Sequence, residues 1–174
     1  MLEEAFEVAV IMAGGRGSRL WGPSKPFINV CGRPLLEHAL LPALQVSRRA
    51  LVAVSGDTLR YASSLRLPAR ASYLMTDGHG YEHDVNHVLR MVRARPLLLL
   101  PGDVVGLTPE MLSYLYRVSD EADEQVLTVK DGGTYIGVSV FKGHSTEPWR
   151  DVEVNWGVIN VNTPAELGEA LARC

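Results

Sequence analysis

The chain has 174 residues, of which 47% are apolar and 21% are charged, and its formal net charge is −3. These values fit a single domain over residues 1–174 with one sizeable core. They exclude a broad basic surface for nucleic acid or an anionic membrane, so phosphate binding would need a specific site. The apolar run 8–12 is too short for a membrane span or a signal peptide, and we therefore expect a cytoplasmic protein. Cys31 and Cys174 lack metal-ligand spacing and are interpreted as free thiols.

Short apolar runs alternate with amphipathic stretches along the chain. We predict strands over 8–12, 50–55, 72–75, 97–101, 125–130, 135–141 and 158–161. We predict helices over 35–46, 58–65, 81–93, 109–119 and 164–173. The leucine run 97–100 does not alternate, which indicates a central parallel strand that is buried on both faces. The order of the elements predicts a three-layer α/β domain.

The region 125–157 is less regular than the rest of the chain. Its two strands predict a hairpin around Asp131-Gly132-Gly133, and the segment 142–157 is interpreted as a loop. Two tryptophans, Trp149 and Trp156, lie in that segment and are candidates either for stacking on a large ligand or for the core.

The loop after the first strand is the most informative segment. It comprises Ala13, Gly14, Gly15, Arg16, Gly17, Ser18 and Arg19, and Lys25-Pro26 follows shortly after it. Three glycines among four residues let the backbone turn its N–H groups toward one anion. Arg19 can hold phosphate oxygens in a fork, and Lys25 adds a compact positive charge. At the carboxyl end of a parallel strand, this combination predicts a triphosphate site.

Two familiar phosphate motifs do not fit this loop. A P-loop requires a Gly-Lys pair, which the chain lacks. The dinucleotide fingerprint requires a third glycine where Leu20 stands, and Pro23 and Pro26 oppose a long helix there. A Rossmann oxidoreductase is therefore disfavoured.

Two further residues are candidate metal ligands at the same sheet edge. Asp103 follows the buried leucine strand and can reach a Mg²⁺ that is shared with phosphate oxygens. Asn160 lies in the sequence Asn160-Val161-Asn162-Thr163-Pro164, in which Thr163 and Pro164 predict the N-cap and first residue of a helix. Whether Asn160 or Asn162 assists the metal stays open.

The segment 77–86 runs from a strand end into a helix. Gly78 and Gly80 allow close approach to a ligand, and a guanine base offers two N–H donors that a carboxylate or backbone carbonyls can accept. The candidate acceptors are Asp77, Glu82 and Asp84. Histidines also recur every fourth residue at positions 79, 83 and 87. Because no carboxylate–histidine zinc motif accompanies them, we interpret them as a polar helix face near the site.

The glycine-rich segment and Lys25-Pro26 resemble the signature of the nucleotidyltransferase superfamily, which includes sugar-phosphate nucleotidylyltransferases and molybdenum-cofactor guanylyltransferase. The resemblance implies a three-layer Rossmann-like nucleotidyltransferase fold with a mostly parallel mixed sheet. It also implies that the glycines wrap the triphosphate and that Arg19 holds its β- and γ-phosphates. By the same resemblance Lys25 stabilises charge on the α-phosphate, Asp103 is the main metal ligand, and one asparagine of 160–162 assists it.

The segments 78–86, 102–107 and 160–163 further resemble the archaeal-type GTP:adenosylcobinamide-phosphate guanylyltransferases. That resemblance implies transfer of GMP from GTP to adenosylcobinamide phosphate with release of pyrophosphate, a step of cobalamin biosynthesis. The expected cofactor is Mg²⁺. The expected partners are GTP and the phosphorylated acceptor, without nucleic acid or a membrane span, and a homodimer stays open.

The sequence is also compatible with two alternative functions. The first is the same chemistry on another acceptor, either molybdopterin or a sugar phosphate. The second is a non-catalytic nucleotide-binding module. Asp103 and Lys25 argue against that module, because a sensor does not need a metal ligand and a lysine at the α-phosphate.

Overall fold

The computed structural model describes residues 4–15 and 21–174. Its strands are β1 Val8–Met12, β2 Asn29–Val30, β3 Arg33–Pro34, β4 Ala50–Val54, β5 Ala71–Met75, β6 Leu97–Pro101, β7 Val104–Val105, β8 Val126–Asp131, β9 Thr134–Phe141, β10 Trp149–Val154 and β11 Ile159–Asn160. The helices are α1 Glu37–Leu44, α2 Gly56–Ala62, α3 Tyr81–Met91, α4 Pro109–Glu121 and α5 Pro164–Ala172, with a 3₁₀ helix over Gly22–Phe27. Within the described ranges, none of the helices has the length and apolar character needed to cross a bilayer.

A seven-stranded sheet forms the middle of the structure, in the order β10-β8-β9-β6-β1-β4-β5. The pairs β6–β1, β1–β4 and β4–β5 are parallel, and β9 runs antiparallel to both of its neighbours. The sheet is therefore mostly parallel with one reversed strand, as predicted. The hairpin predicted around Asp131-Gly132-Gly133 is also confirmed, because β8 and β9 pair antiparallel across it.

Both faces of the central strands are buried, which explains their uninterrupted apolar sequences. On one face, Val8 and Val10 of β1 belong to a buried cluster with Val88 of α3. On the other face, Ala9 and Ile11 belong to a larger cluster that includes residues of α1 and α4. Helices thus cover both sides of the sheet, and the predicted three-layer architecture is confirmed.

The interpretation of 142–157 as a loop is wrong over its second half. Residues 149–154 form β10, which pairs parallel to β8 at the edge of the sheet. Only Val152 of this strand is buried, and three of its other residues are charged, namely Arg150, Asp151 and Glu153. Exposed edge strands carry charges that protect them from pairing with other chains. This composition concealed the apolar alternation by which a strand is recognised in sequence.

The interpretation of the two cysteines as free thiols is also wrong. A disulfide joins Cys31 to Cys174 across 143 residues, with a Cα–Cα distance of 5.4 Å. Cys31 lies in the turn between β2 and β3, and Cys174 follows α5. A buried cluster containing Val30, Leu35 and Ala170 packs α5 against that hairpin and so brings the two thiols together. Sequence separation alone gave no sign of this contact.

Candidate functional site

The glycine-rich loop begins at the carboxyl end of β1. Ala13 is buried, and its N–H donates to the carbonyl of Ala53 at 2.8 Å. A Cβ atom on Gly14 would lie 2.8 Å from the backbone nitrogen of Ser55, whereas one on Gly15 would meet open space. Residue 14 must therefore be glycine for the loop to lie against the end of β4. The remaining predicted members, Arg16, Gly17, Ser18 and Arg19, lie outside the described residues.

Asp103 is placed beside this loop by a second close backbone approach. The N–H of Gly102 donates to the carbonyl of Met12 at 2.9 Å, and a Cβ atom on Gly102 would lie 2.9 Å from that same oxygen. The carbonyl of Asp103 accepts from the N–H of Val161 at 2.8 Å. The aspartate is thus fixed between the end of β1 and the strand β11.

The side chain of Lys25 contacts the carboxylate of Asp103. It belongs to the 3₁₀ helix Gly22–Phe27, in which Pro26 is buried. Its Nζ donates to Asp103 Oδ2 at 3.1 Å and to Asn162 Oδ1 at 2.9 Å. The side chains of Lys25 and Asp103 are 11% and 24% exposed, so solvent screens this ion pair only in part. The sequence predicted both residues at one sheet edge, and the structure brings them into contact.

Asn160 holds the other oxygen of the same carboxylate. Its Nδ2 donates to Asp103 Oδ1 at 3.3 Å and to the carbonyl of Ile136 at 3.1 Å. The two asparagines therefore have different partners, since Asn160 contacts Asp103 and Asn162 contacts Lys25. This division could not be read from the sequence, because both side chains have the same chemistry.

The segment that carries the asparagines is held at both ends. After it, Thr163 Oγ1 accepts from the N–H of Glu166 at 3.2 Å, and Glu166 Oε1 accepts from the N–H of Asn162 at 3.1 Å. This pattern resembles a capping box, except that Glu166 accepts from the residue before the N-cap, and it confirms Thr163 as the N-cap of α5. Before it, Asp131 accepts from the N–H groups of Trp156 and Val158 at 2.7 and 2.9 Å. The sequence had assigned Asp131 only to a hairpin turn.

The loop that follows β5 lies next to Gly14. Thr76 Oγ1 is buried and has no hydrogen-bond partner among residues 4–15 and 21–174. It lies 3.2 Å from the position that a Cβ on Gly14 would occupy. The sequence singled out neither Thr76 nor its hydroxyl, because a threonine at a strand end is common.

The three acidic candidates of segment 77–84 differ in their surroundings. Asp84 is buried, and its Oδ1 accepts from the N–H of Gly78 at 3.1 Å, so it supports the loop. Glu82 is exposed. Asp77 is also exposed, and its hydrogen bond with His83 at 3.0 Å lowers the pKa of Asp77. Gly80 precedes α3 with a φ of +106°.

Tyr81, the first residue of α3, lies near enough to Asp103 to be affected by its charge. Desolvation raises the pKa of Tyr81, and the negative charge of Asp103 raises it further. Its side chain is nevertheless largely exposed. The sequence did not single out this exposed ring near Asp103.

The two tryptophans are separated by the fold. Trp149 aligns through the strand register with Val126, Phe141 and Leu97, at the start of β6 and away from the carboxyl ends. It cannot stack on a ligand at the site described here. Trp156 is partly buried against the main core.

The chain is similar to known nucleotidyltransferases. The MobA-like NTP transferase domain family matches residues 9–157. The adenosylcobinamide-phosphate guanylyltransferase of Methanocaldococcus jannaschii is 30% identical over 131 residues, which cover 70% of this chain and 66% of that protein. The molybdenum cofactor guanylyltransferase of Pseudomonas syringae is 28% identical over 123 residues, or 71% and 60% of the two chains. The chain thus spans slightly less than two thirds of either relative.

The fold is shared with more distant proteins of known structure. Rv0371c of Mycobacterium tuberculosis superposes with a TM-score of 0.77 at 17% identity, covering 97% of this chain and 99% of that one. A second structure of Rv0371c, in complex with manganese, superposes with a TM-score of 0.73. Because the match to the family extends from β1 to the segment before β11, the chain belongs to the MobA-like NTP transferase domain family.

Proposed function

We propose that this protein is a guanylyltransferase that moves GMP from GTP to a phosphorylated acceptor and releases pyrophosphate. The observation that carries the proposal is the contact of Lys25 with Asp103 and Asn162 beside the glycine loop. A cation, a carboxylate and a glycine-rich loop at one sheet edge are what a nucleoside triphosphate and its metal require.

The residues around Asp103 also fit a Mg²⁺ ion. Mg²⁺ prefers oxygen ligands and usually takes only one or two protein carboxylates together with phosphate oxygens. Asp103 supplies one carboxylate, and Asn160 orients it by donating from Nδ2 to Oδ1. Bound there, the ion would neutralise charge on the phosphates. The manganese complex of Rv0371c supports a divalent cation in this fold.

The chain's own groups account for the rest of the reaction. An oxygen of the acceptor phosphate attacks the α-phosphorus of GTP, and the bond from that phosphorus to the β-phosphate oxygen breaks, so that pyrophosphate leaves. The acceptor phosphate is already ionised at neutral pH, so no strong base is needed. Lys25 meets the charge that develops on the α-phosphate, and the loop 13–19 with Arg19 holds the remaining phosphates. Catalysis is therefore positioning and charge neutralisation.

Guanine recognition is proposed for the loop 77–80. Asp77 is an exposed carboxylate that can accept the two N–H groups of a guanine edge, and Gly80 allows a base to approach the backbone. Both relatives are named as guanylyltransferases, which supports this choice of nucleotide.

For the acceptor we propose adenosylcobinamide phosphate, as in the M. jannaschii relative. The resemblance of segments 78–86, 102–107 and 160–163 to that family favours it. The relative from P. syringae makes molybdopterin the second candidate.

The test supplies Mg²⁺, each of the four nucleoside triphosphates and one acceptor at a time. The acceptors are adenosylcobinamide phosphate, adenosylcobinamide, molybdopterin and a set of sugar phosphates. We expect pyrophosphate release, and a cobinamide-GDP product by mass, only with GTP and the phosphorylated cobinamide. Product from unphosphorylated adenosylcobinamide would show a kinase activity that the chain has no P-loop to support. Transfer to molybdopterin instead would replace the acceptor assignment and keep the guanylyltransferase.

Nucleotide selectivity is the first quantitative prediction. Calorimetry in Mg²⁺ should show that GTP binds at least about tenfold more tightly than ATP, CTP or UTP, which corresponds to about 1.4 kcal/mol. Asp77→Ala should reduce this preference and leave the affinity for ATP unchanged. The matched control is Glu82→Ala, since Glu82 is an exposed carboxylate in the first turn of α3. Equal affinities for all four nucleotides in the unmodified protein would remove guanine recognition.

A further inference from the structure

Four side chains with metal-binding chemistry converge where β5 leads into α3. Asp77 and His79 lie in the connecting loop, and His83 and His87 follow at four-residue intervals on the helix. Residues four apart lie on the same face of a helix. The ring centroids of His79 and His83 are 5.4 Å apart, and those of His83 and His87 are 6.4 Å apart. The sequence shows histidines at four-residue intervals, and the fold brings the carboxylate of Asp77 next to them.

The spacing of the donor atoms suits one ion. Ligand atoms of Asp77, His79 and His83 all lie within 4.8 Å of one another. Asp77 Oδ2 lies 3.0 Å from His83 Nε2 and 3.7 Å from His87 Nδ1. With metal–ligand bonds of about 2.0–2.1 Å, neighbouring donors of a tetrahedral zinc site are about 3.3 Å apart. These two distances lie on either side of that value, and His79, within 4.8 Å of Asp77 and His83, would join them by a side-chain rotation.

His87 supplies an independent observation. Its Nδ1 is buried and has no hydrogen-bond partner within the part of the chain that the structure describes. Buried polar atoms normally have a partner, and one without a partner requires an explanation. This nitrogen faces the carboxylate of Asp77 at a distance too long for a hydrogen bond. A metal ion between them would give both atoms a partner.

We propose that Asp77, His79, His83 and His87 form a binding site for Zn²⁺ that is separate from the proposed magnesium site at Asp103. Imidazole nitrogens with one carboxylate suit zinc, whereas Mg²⁺ prefers oxygen ligands alone. The two cysteines do not compete, since they are joined in a disulfide. The site shares Asp77 with the loop proposed to read the nucleobase, but the zinc proposal does not depend on that role.

The experiment uses the untagged, oxidised protein without nucleotide. Zn²⁺ is titrated calorimetrically with Mg²⁺ in excess, and Co²⁺ is used as a visible probe of coordination geometry. We expect one Zn²⁺ per chain, Co²⁺ absorption bands of tetrahedral type, and a rise of Tm with Zn²⁺ concentration, because a ligand that binds only the folded state stabilises it. His79→Ala, His83→Ala and His87→Ala should each weaken Zn²⁺ binding at least tenfold.

The matched control is His144→Ala, which removes an exposed histidine that lies outside the cluster. This variant should bind Zn²⁺ as the unmodified protein does. Thermal unfolding without metal separates loss of the site from loss of the fold. Wild-type affinity in His79→Ala or His83→Ala would overturn the assignment, as would Zn²⁺ binding that excess Mg²⁺ displaces.

Discussion

Lys25 donates to two oxygen atoms, and one of them belongs to the carboxylate proposed to bind a metal ion. A cation bound by Asp103 would compete with the lysine ammonium for Oδ2, because both are attracted to the same negative charge. The lysine would then be free to turn toward the phosphates, with Asn162 as its remaining protein contact. The ion pair thus orients both groups toward one another.

Removal of Asp103 should abolish metal-dependent turnover. A bound metal ion contributes several kcal/mol to charge stabilisation in a transition state. We therefore expect Asp103→Ala to lower kcat by at least a factor on the order of 10²–10³ at saturating Mg²⁺. Pyrophosphate release measures the rate, and circular dichroism checks the fold. Asp120→Ala, which removes an exposed aspartate of α4, is the control and should keep full activity.

Lys25→Ala should act on rate more than on binding. If Lys25 meets charge that develops only in the transition state, its loss should lower kcat by a factor on the order of 10²–10³. The dissociation constant for GTP should change much less. Single-turnover kinetics and calorimetry separate the two quantities, with Lys130→Ala as the lysine control away from Asp103. A raised dissociation constant at an unchanged single-turnover rate would make Lys25 a binding residue only.

At the scale of elements, the ends of the parallel strands determine where the site can form. The carboxyl ends of β1, β4, β5 and β6 bring the glycine loop, Ser55, Thr76 and Asp103 to one edge of the sheet. Short backbone contacts fix the loops there, and they tolerate no side chain at Gly102. The position of Asp103 thus depends on Gly102, which has no side chain.

Gly102→Ala tests this dependence. Its Cβ would lie 2.9 Å from the Met12 carbonyl, so the backbone must shift. Steric overpacking of this kind costs about 1–3 kcal/mol in free energy of unfolding. Gly168→Ala is the control, since Gly168 lies inside α5 with open space around it. That change should stabilise the protein by up to about 1 kcal/mol, because alanine favours a helix more than glycine does. Denaturant unfolding measures both, and equal effects would contradict the argument.

The sequence predicted most elements because each carried a local signal. The leucine run 97–100 and the paired Thr163-Pro164 are examples, and both were confirmed. β10 was missed because its charged residues conceal the alternation, and its position depends on pairing with β8. Asp131 was assigned to a turn, although its carboxylate also holds the backbone of 156–158. Such contacts join residues that are distant in sequence, so no local pattern reports them.

At the scale of the whole molecule, a small buried cluster joins the two halves of the site. It contains Val30 and Leu35 from the N-terminal part of the chain, and Ile159, Val161 and Ala170 from the C-terminal part. The hairpin β2–β3 follows the segment that carries Lys25, and the strand β11 carries Asn160. The contacts among Lys25, Asp103 and the two asparagines therefore require these distant parts of the chain to stay packed together.

The disulfide between Cys31 and Cys174 joins the β2–β3 hairpin covalently to the end of α5. A cross-link restricts the unfolded chain, and the restriction grows with the sequence separation of the two cysteines, which is 143 here. We expect the double substitution Cys31→Ser and Cys174→Ser to lower the free energy of unfolding by about 2–4 kcal/mol. Reduction of the unmodified protein should have a similar effect, and a reducing agent should not change the double variant further. Denaturant unfolding with and without reductant measures these differences. Identical unfolding curves for the oxidised and reduced protein would show that the packing of α5 alone holds the two halves of the site together.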